Sequence, residues 1–118
     1  MALLTGYGEK IITPPLGTDL TGFGFYLDRR TNSILDDLKT RALFLKDGER
    51  VLLLIVCDLL GLTVPFTDKI RARLAHELAI PGENILLACT QTHSGIAENL
   101  TPLFPYVGCR TRFLLCLL

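Results

Sequence analysis

The sequence predicts an α/β fold with a mixed sheet, in which a β-hairpin is followed by a right-handed βαβ unit. Three observations support this class. Two apolar, branched runs flank Asp47-Gly48, an amphipathic helical pattern begins at Pro65, and a further apolar run covers residues 85–89. The chain has 118 residues, so these elements belong to one domain or to part of one.

The first two predicted strands are joined by a tight turn. Residues 39–46 and 50–58 are rich in the branched and apolar side chains that are typical of strands. Between them, Asp47-Gly48 readily adopts the positive φ angles of a two-residue hairpin turn. We therefore expect these strands to be antiparallel neighbours. No regular element is predicted in residues 1–38, because glycine and proline interrupt the apolar periodicity there.

The middle of the chain predicts one amphipathic helix, which runs from residue 65 to about residue 79. Its first residue is a proline, which suits the first turn because its missing N–H would have no helical partner there. Ile70, Leu74 and Leu78 recur every four residues and form one apolar face. The sequence Ile80-Pro81-Gly82 then ends the helix.

The run Ile85–Cys89 completes a strand–helix–strand crossover with parallel strands. Parallel strands are usually buried on both faces, and both strands of this unit are continuously apolar. One helix covers only one face, so the other face needs partner elements. We therefore expect an incomplete piece of a larger α/β domain, whose uncovered sheet promotes self-association.

Composition argues against several classes of function. Lys plus Arg and Asp plus Glu both total 12, so no net charge attracts nucleic acid. The longest apolar stretch, residues 51–64, contains Asp58 and is shorter than the roughly 20 residues of a membrane-spanning helix. The N-terminus lacks the features of a signal peptide, so we expect a cytoplasmic protein. There the cysteines stay reduced and serve as apolar filler: Cys57, Cys89, Cys109 and Cys116.

Polar residues follow both parallel strands, at the edge where open α/β folds bind ligands. Asp58 ends the first strand, and Thr90-Gln91-Thr92-His93-Ser94-Gly95 follows the second. A two-residue period places Gln91 and His93 on one side and Ser94 on the other. Asp58 is in a position to orient His93 for acid–base or metal chemistry. The alternative is that Asp58 caps the following loop and His93 is a hydrogen-bonded surface group.

Three other groupings are weaker. Cys89 and His93 form a conceivable nucleophile–base pair, but a thiolate within an apolar strand would be desolvated. Gly22-Phe23-Gly24 lacks the preceding strand and the following helix of a phosphate-binding loop. An aromatic cluster followed by two arginines either lines an apolar pocket with a basic rim or packs in the core. Its members are Phe23, Phe25, Tyr26, Arg29 and Arg30.

Several short motifs occur in an order that resembles a known family. They are Ile12-Thr13-Pro14-Pro15-Leu16-Gly17, Thr21-Gly22-Phe23, Ile34-Leu35-Asp36-Asp37-Leu38 with Arg41-Ala42-Leu43, Cys57-Asp58-Leu59, Ile80-Pro81-Gly82-Glu83-Asn84-Ile85 and Thr90-Gln91-Thr92-His93-Ser94-Gly95. Together they resemble the N-terminal portion of the neutral/alkaline (non-lysosomal) ceramidases and their bacterial relatives. We therefore expect residues 1–108 to be the N-terminal segment of a ceramidase-like α/β hydrolase domain. The apolar tail 109–118 no longer resembles the family, and we expect the reading frame or the gene to break near Cys109.

The resemblance implies a zinc-dependent amidohydrolase that cleaves the N-acyl bond of ceramide to give sphingosine and a fatty acid. The family signature reads His-Thr-His-Ser-Gly-Pro; its first histidine binds Zn2+, and its second lies beside the reaction centre. In this chain the second histidine is His93, but the first position holds Gln91, whose amide is a poor zinc ligand. Ile96 replaces the proline. The remaining family ligands, another histidine, a glutamate and a tyrosine, come from much later in the family's chain.

These matches define the expected site. His93 and Asp58 are the candidate catalytic residues, Gly22 and Ser94 are candidate substrate-binding residues, and no metal ligand is assigned because the zinc position holds Gln91. Gly22 matches the family glycine near the substrate head group, where a bare backbone N–H can approach a polar group. The expected substrate is a lipid amide, and the chain alone is expected to be inactive. Two alternatives stay open: a non-catalytic truncated module that associates through its uncovered sheet, or an amidase of related fold with another substrate.

Overall fold

A computed structural model describes residues 2–23 and 28–96. Along these residues the elements are β1 (Leu4–Ile11), β2 (Lys39–Asp47), β3 (Arg50–Cys57), α1 (Val64–Leu78), a short 3-10 helix (Gly82–Asn84) and β4 (Ile85–Cys89). The expected tail 109–118 lies outside the described residues, as do Phe25 and Tyr26 of the aromatic cluster.

The four strands form one mixed sheet in the order β1-β2-β3-β4. β2 pairs with β1 and with β3 in antiparallel fashion, whereas β3 and β4 are parallel. The turn between β2 and β3 closes at the pair formed by Asp47 and Arg50, and Gly48 within it has a φ of 58°. Glycine adopts positive φ at little cost, which is why the turn can be this tight. The predicted α/β class, with a hairpin followed by a βαβ unit, is confirmed.

The N-terminal third is less irregular than the sequence suggested, because β1 is a full strand. All 8 of its residues pair with β2. β1 lies at one edge of the sheet, and most of its side chains are exposed. Gly6 and Gly8 lie within it, and glycine weakens the pattern by which a strand is recognised in a sequence.

The core lies between α1 and one face of the sheet. Side chains alternate along β3, so that Leu53, Ile55 and Cys57 are buried on the face that packs with the helix. Ile70 and Leu74 of α1 are buried in the same cluster, as their four-residue spacing predicted. Full burial of one such Leu or Ile side chain stabilises the fold by about 1.5–3 kcal/mol relative to exposure. This core fixes the ends of β3 and β4, from which the candidate site is built.

The opposite face of the sheet is apolar and partly exposed to solvent. Leu86 is 55% exposed and Tyr7 is 66% exposed. Because α1 packs on the core face, no α-helix of the described residues covers this side. We call it the open face; its residues include Thr5, Tyr7, Leu43, Leu45, Leu52, Leu54, Val56, Leu86 and Ala88, and the charged Glu9 and Arg41 share it by register. Within the described part of the chain, no helix is long and apolar enough to cross a membrane.

Candidate active site

The candidate site begins where the parallel strands β3 and β4 end. Asp58 follows β3 directly, and residues 90–96 follow β4. The Thr90 N–H donates to Cys57 O at 3.0 Å, which holds the two strand ends together. Carboxyl ends of neighbouring parallel strands form the ligand-binding edge of an α/β sheet.

A third segment, residues 21–23, folds back onto this edge from the connection between β1 and β2. The Thr21 N–H donates to Gly95 O at 2.9 Å, and the Thr21 hydroxyl donates to the same oxygen at 3.2 Å. Thr21 is only 6% exposed, so these bonds are shielded from water. These two bonds fix the position of the neighbouring Gly22 relative to the loop that follows β4.

Gly22 lies directly against the His93 ring. Its φ is +94°, a conformation that L side chains rarely adopt. A Cβ built on Gly22 would lie 2.5 Å from His93 Cγ and 2.7 Å from His93 Nδ1. Only glycine therefore fits here while His93 keeps its place. The structure brings these two sequence-predicted residues into contact although they are far apart in the chain.

Phe23 holds the His93 ring in two ways. The Phe23 backbone N–H donates to His93 Nδ1 at 3.3 Å. The two rings also meet edge to face, with their centroids 4.9 Å apart and an interplanar angle of 78°. Phe23 has a φ of 60°, which is uncommon for a bulky residue. These contacts leave Nε2 as the ring nitrogen that can meet a ligand.

Arg29 ties the segment of Gly22 to that of His93. Its Nη2 donates to Thr21 O at 2.9 Å and to His93 O at 3.1 Å, and Gly22 O lies 3.5 Å away. The guanidinium carbon lies 4.8 Å from the centroid of the Phe23 ring, within cation–π range. The sequence placed Arg29 on the rim of an aromatic cluster and did not predict this bridge. Its acceptors are backbone oxygens, which every residue carries, so no residue type indicates them.

The Asp58 carboxylate, expected to orient His93, instead contacts residues of β2 in this structure. The Asp58 carboxylate accepts a hydrogen bond from the Lys39 backbone N–H at 2.9 Å and lies 3.2 and 3.3 Å from Arg41 Nη1. A guanidinium on the adjacent strand offers a full positive charge and fixed donors, whereas the imidazole is already held by a backbone N–H. These contacts favour a structural role for Asp58 at the strand ends, close to the alternative that the sequence left open.

The two-residue period expected for residues 91–94 does not hold. β4 ends at Cys89, and Gln91 has a φ of 60°, so the chain leaves the extended conformation before His93. Gln91 and Ser94 are both exposed, and the Ser94 N–H donates to Thr92 Oγ1 at 3.2 Å. Ser94 therefore lies at the rim of the site, next to His93 in the chain.

The cysteines at the ends of β3 and β4 are poor nucleophiles. Burial raises the pKa of Cys57 to about 11, although its sulfur shares a hydrogen bond with the Thr40 hydroxyl at 3.3 Å. Burial also raises the pKa of Cys89. Since the thiolate is the reactive form, these shifts disfavour a nucleophilic pair of Cys89 and His93. Cys57 instead belongs to the apolar core, as expected.

Two solved structures are similar to most of this chain. The crystal structure of neutral ceramidase from Pseudomonas aeruginosa matches with a TM-score of 0.66 and 28% identity, and a ceramidase complexed with C2 matches with a TM-score of 0.65 and 28% identity. The chain is ceramidase-like. This confirms the resemblance indicated by the motifs. No protein-family model and no curated protein sequence matches the chain.

The ceramidase-like chain corresponds to a small part of the solved ceramidases. Each match covers 79% of this chain and 15% of the other chain. The activity and the substrate of a whole ceramidase therefore do not transfer to this chain by similarity alone. What the similarity shows is the fold.

The described part of this ceramidase-like chain does not by itself assemble the ligands of a zinc centre. Within residues 2–23 and 28–96, no three His, Cys, Asp or Glu side chains are grouped so that they could hold a metal ion. Gln91, which the motif resemblance matches to a zinc-binding histidine, carries an amide, and an amide is a weak ligand for Zn2+. His93 Nδ1 already accepts a hydrogen bond from Phe23. These residues suit hydrogen bonding to a ligand better than metal binding.

Proposed function

We propose that this chain carries the His93–Gly22 part of a ceramidase-like amide-hydrolase site, and that its ligand is the polar head of an N-acyl lipid amide. One observation carries the proposal: the His93 ring rests on the bare backbone of Gly22, at the ligand-binding edge of a fold shared with ceramidase. The ordered motifs support the same class of substrate.

The chemistry of this part of the site suits an amide or hydroxyl group. His93 Nε2 is the ring atom left for a ligand, because Phe23 occupies Nδ1. Ser94 adds an exposed hydroxyl nearby in the chain, which can both donate and accept a hydrogen bond. The chain has 12 basic and 12 acidic residues, which is compatible with an uncharged substrate.

We propose further that the 118-residue chain binds this substrate without hydrolysing it. Zn2+, when bound in the family's enzymes, supplies the activated water that attacks the amide carbon. The described residues of this chain do not group ligands for that ion. His93, Gly22 and Ser94 by themselves supply recognition and hydrogen bonding rather than a nucleophile.

Titration of the 15N-labelled chain with a soluble short-chain ceramide tests the binding. We expect saturable chemical-shift changes at Gly22, His93 and Ser94, and their loss in His93→Ala. His76→Ala is the matched control, because His76 is exposed on α1 and its loss should leave binding intact. A folded wild-type chain that shows no saturable binding would contradict the proposal. Equal affinity for an N-acyl amide without a lipid tail would favour an amidase with another substrate.

A fluorogenic ceramide, with and without added Zn2+, tests the absence of hydrolysis. We expect the wild-type chain to release no more product than the His93→Ala variant does. Robust release by the wild-type chain alone would refute this half of the proposal while leaving the binding site in place.

The open face supports a second candidate function, in which two copies of the chain associate without catalysis. The face is largely apolar, and the charged Glu9 and Arg41 that share it form ion pairs, Glu9 with Lys39 at 2.7 Å and Arg41 with Asp58 at 3.2 Å. Two copies can therefore meet face to face without repulsion between like charges.

Sedimentation velocity at increasing protein concentration tests this association. We expect the wild-type chain to form dimers and Leu52→Lys to shift it toward the monomer, because a charge would be buried at the contact. Leu35→Lys is the control, since Leu35 is 96% exposed and lies outside the open face. A wild-type chain that stays monomeric at all concentrations would rule out this function.

A further inference from the structure

We propose that Arg29 is a positioning residue for His93: it keeps the Phe23 backbone N–H on His93 Nδ1 and thereby fixes the imidazole as the tautomer that is protonated on Nε2. The proposal rests on the geometry of these three residues. It does not depend on which substrate the site binds.

The tautomer follows from the contact between Phe23 and His93. A backbone N–H can only donate, so His93 Nδ1 must offer a lone pair where the two atoms meet at 3.3 Å. A neutral imidazole carries one N–H, which therefore lies on Nε2. His93 thus presents a hydrogen-bond donor to the site. A ligand atom that meets Nε2 is then an acceptor, such as a carbonyl or hydroxyl oxygen, because a metal ion would need the lone pair.

Arg29 bridges the two chain segments that carry the partners of this hydrogen bond. A single nitrogen, Nη2, donates to Thr21 O on one segment and to His93 O on the other, at 2.9 and 3.1 Å. The guanidinium plane also lies over the Phe23 ring. The residue that donates the N–H and the residue that accepts it are therefore both fixed by the same side chain.

The surroundings of Arg29 indicate that it connects the two loops and does not form an ion pair within the described part of the chain. Among the described residues, its charge meets backbone carbonyls and an aromatic ring, and no salt bridge to a carboxylate is formed. Its Nε is buried and has no hydrogen-bond partner in that part of the chain. Its neighbour Arg30 is 70% exposed and pairs with Asp19. Leaving a buried donor unsatisfied is unfavourable, so the hydrogen bonds of Nη2 and the contact with the Phe23 ring must offset that cost.

Nitrogen NMR on the 15N-labelled full chain tests the proposal, at alkaline pH and at a concentration where the chain is monomeric. In the wild-type chain we expect a scalar coupling across the hydrogen bond between Phe23 N and His93 Nδ1. We also expect His93 Nδ1 to resonate as an unprotonated nitrogen and Nε2 as a protonated one. In Arg29→Gln the coupling should be lost, and the two ring signals should move toward each other.

Two further variants distinguish positioning from general stability. Arg30→Gln removes the neighbouring arginine and should leave the coupling and the ring signals as they are in the wild-type chain. Arg29→Lys keeps the charge but not the planar fork, so the coupling should be reduced. Amide signals of β2 and β3 report in each case that the chain is folded.

Two results would overturn the proposal. The first is a wild-type His93 with its proton on Nδ1, or with no coupling to Phe23. The second is a folded Arg29→Gln chain that retains the wild-type coupling. If Arg29→Gln does not fold, Arg29→Lys decides: an unchanged coupling there would show that the guanidinium bridge is not what holds the ring.

Discussion

Gly22→Ala is the substitution whose effect the structure defines most sharply. The new Cβ would lie 2.5 Å from His93 Cγ and 2.8 Å from His93 Cβ, far inside van der Waals contact, and the φ of +94° disfavours alanine in any case. Backbone strain costs about 1–3 kcal/mol, and overpacking costs about 1–3 kcal/mol. The less flexible unfolded chain returns about 0.4–1 kcal/mol. The net loss of unfolding free energy should lie between about 1 and 6 kcal/mol, centred at about 3 kcal/mol.

Two other glycines of the same chain separate these contributions. Gly17 has a φ of +84°, but nothing lies within 4 Å of a Cβ added there. Gly17→Ala should therefore show the backbone strain alone, about 1–2 kcal/mol. Gly61 also has open space around it, and its φ lies outside the left-handed region. Gly61→Ala should be neutral or should stabilise the chain by about 0.4–1 kcal/mol.

Equilibrium urea unfolding, followed by circular dichroism, measures the three free energies, and NMR of His93 reports whether the ring moves. The order of destabilisation should be Gly22→Ala, then Gly17→Ala, then Gly61→Ala. The contact between Gly22 and His93 must either cost free energy or displace the ring. A Gly22→Ala chain with the same midpoint as Gly17→Ala and with unchanged His93 signals would therefore refute the reasoning.

Three further predictions concern the groups around the site. The hydrogen bond from Lys39 lowers the pKa of Glu9 in the folded chain below its usual value of 4.5. The stability that this pair contributes is therefore present above pH 4.5 and is lost as the pH falls through the lowered pKa. The free energies of unfolding of Glu9→Gln and of the wild-type chain should converge in acid. Burial raises the pKa of Cys57 to about 11, so peptide mass mapping should show slow alkylation of Cys57 at neutral pH and fast alkylation in urea. Asp58→Asn should lower the unfolding free energy by about 1–3 kcal/mol through its lost charge on Arg41, yet leave the NMR signals of the His93 ring unchanged; a shift of those signals would restore an orienting role for Asp58.

The hairpin, the helix and β4 could be predicted from the sequence because each has a local signal. Asp47-Gly48 marks the turn, the spacing of Ile70 and Leu74 marks the helix, and β4 is continuously apolar. β1 has no such signal. Its pairing with β2 spans the long connection 12–38, and its glycines break the pattern of a strand.

The motifs anticipate that Gly22 and His93 belong together, but not how the contact between them is built. Motif order singled out Gly22 and His93, and the structure places them in contact. The contacts that hold them use the backbone atoms of Thr21, Phe23 and Gly95, which every residue type except proline supplies in the same form. The positive φ of Phe23 could not be predicted either, because bulky residues rarely adopt it and only a glycine would have indicated it in the sequence.

The agreement with the family signature and the departure from it fall on different kinds of position. A Cβ added to Gly22 would lie 2.5 Å from His93 Cγ, so packing prescribes glycine there. Gly95 is buried, and a Cβ added to it would lie 3.0 Å from Leu38 Cδ1, so the Leu38 side chain would have to shift. Gln91, where this chain departs from the motif that the resemblance rests on, is exposed, so packing does not prescribe its side chain. A substitution at such an exposed position changes the groups on offer to a ligand without disturbing the fold. Similarity of fold to ceramidase therefore carries no information about metal binding at position 91.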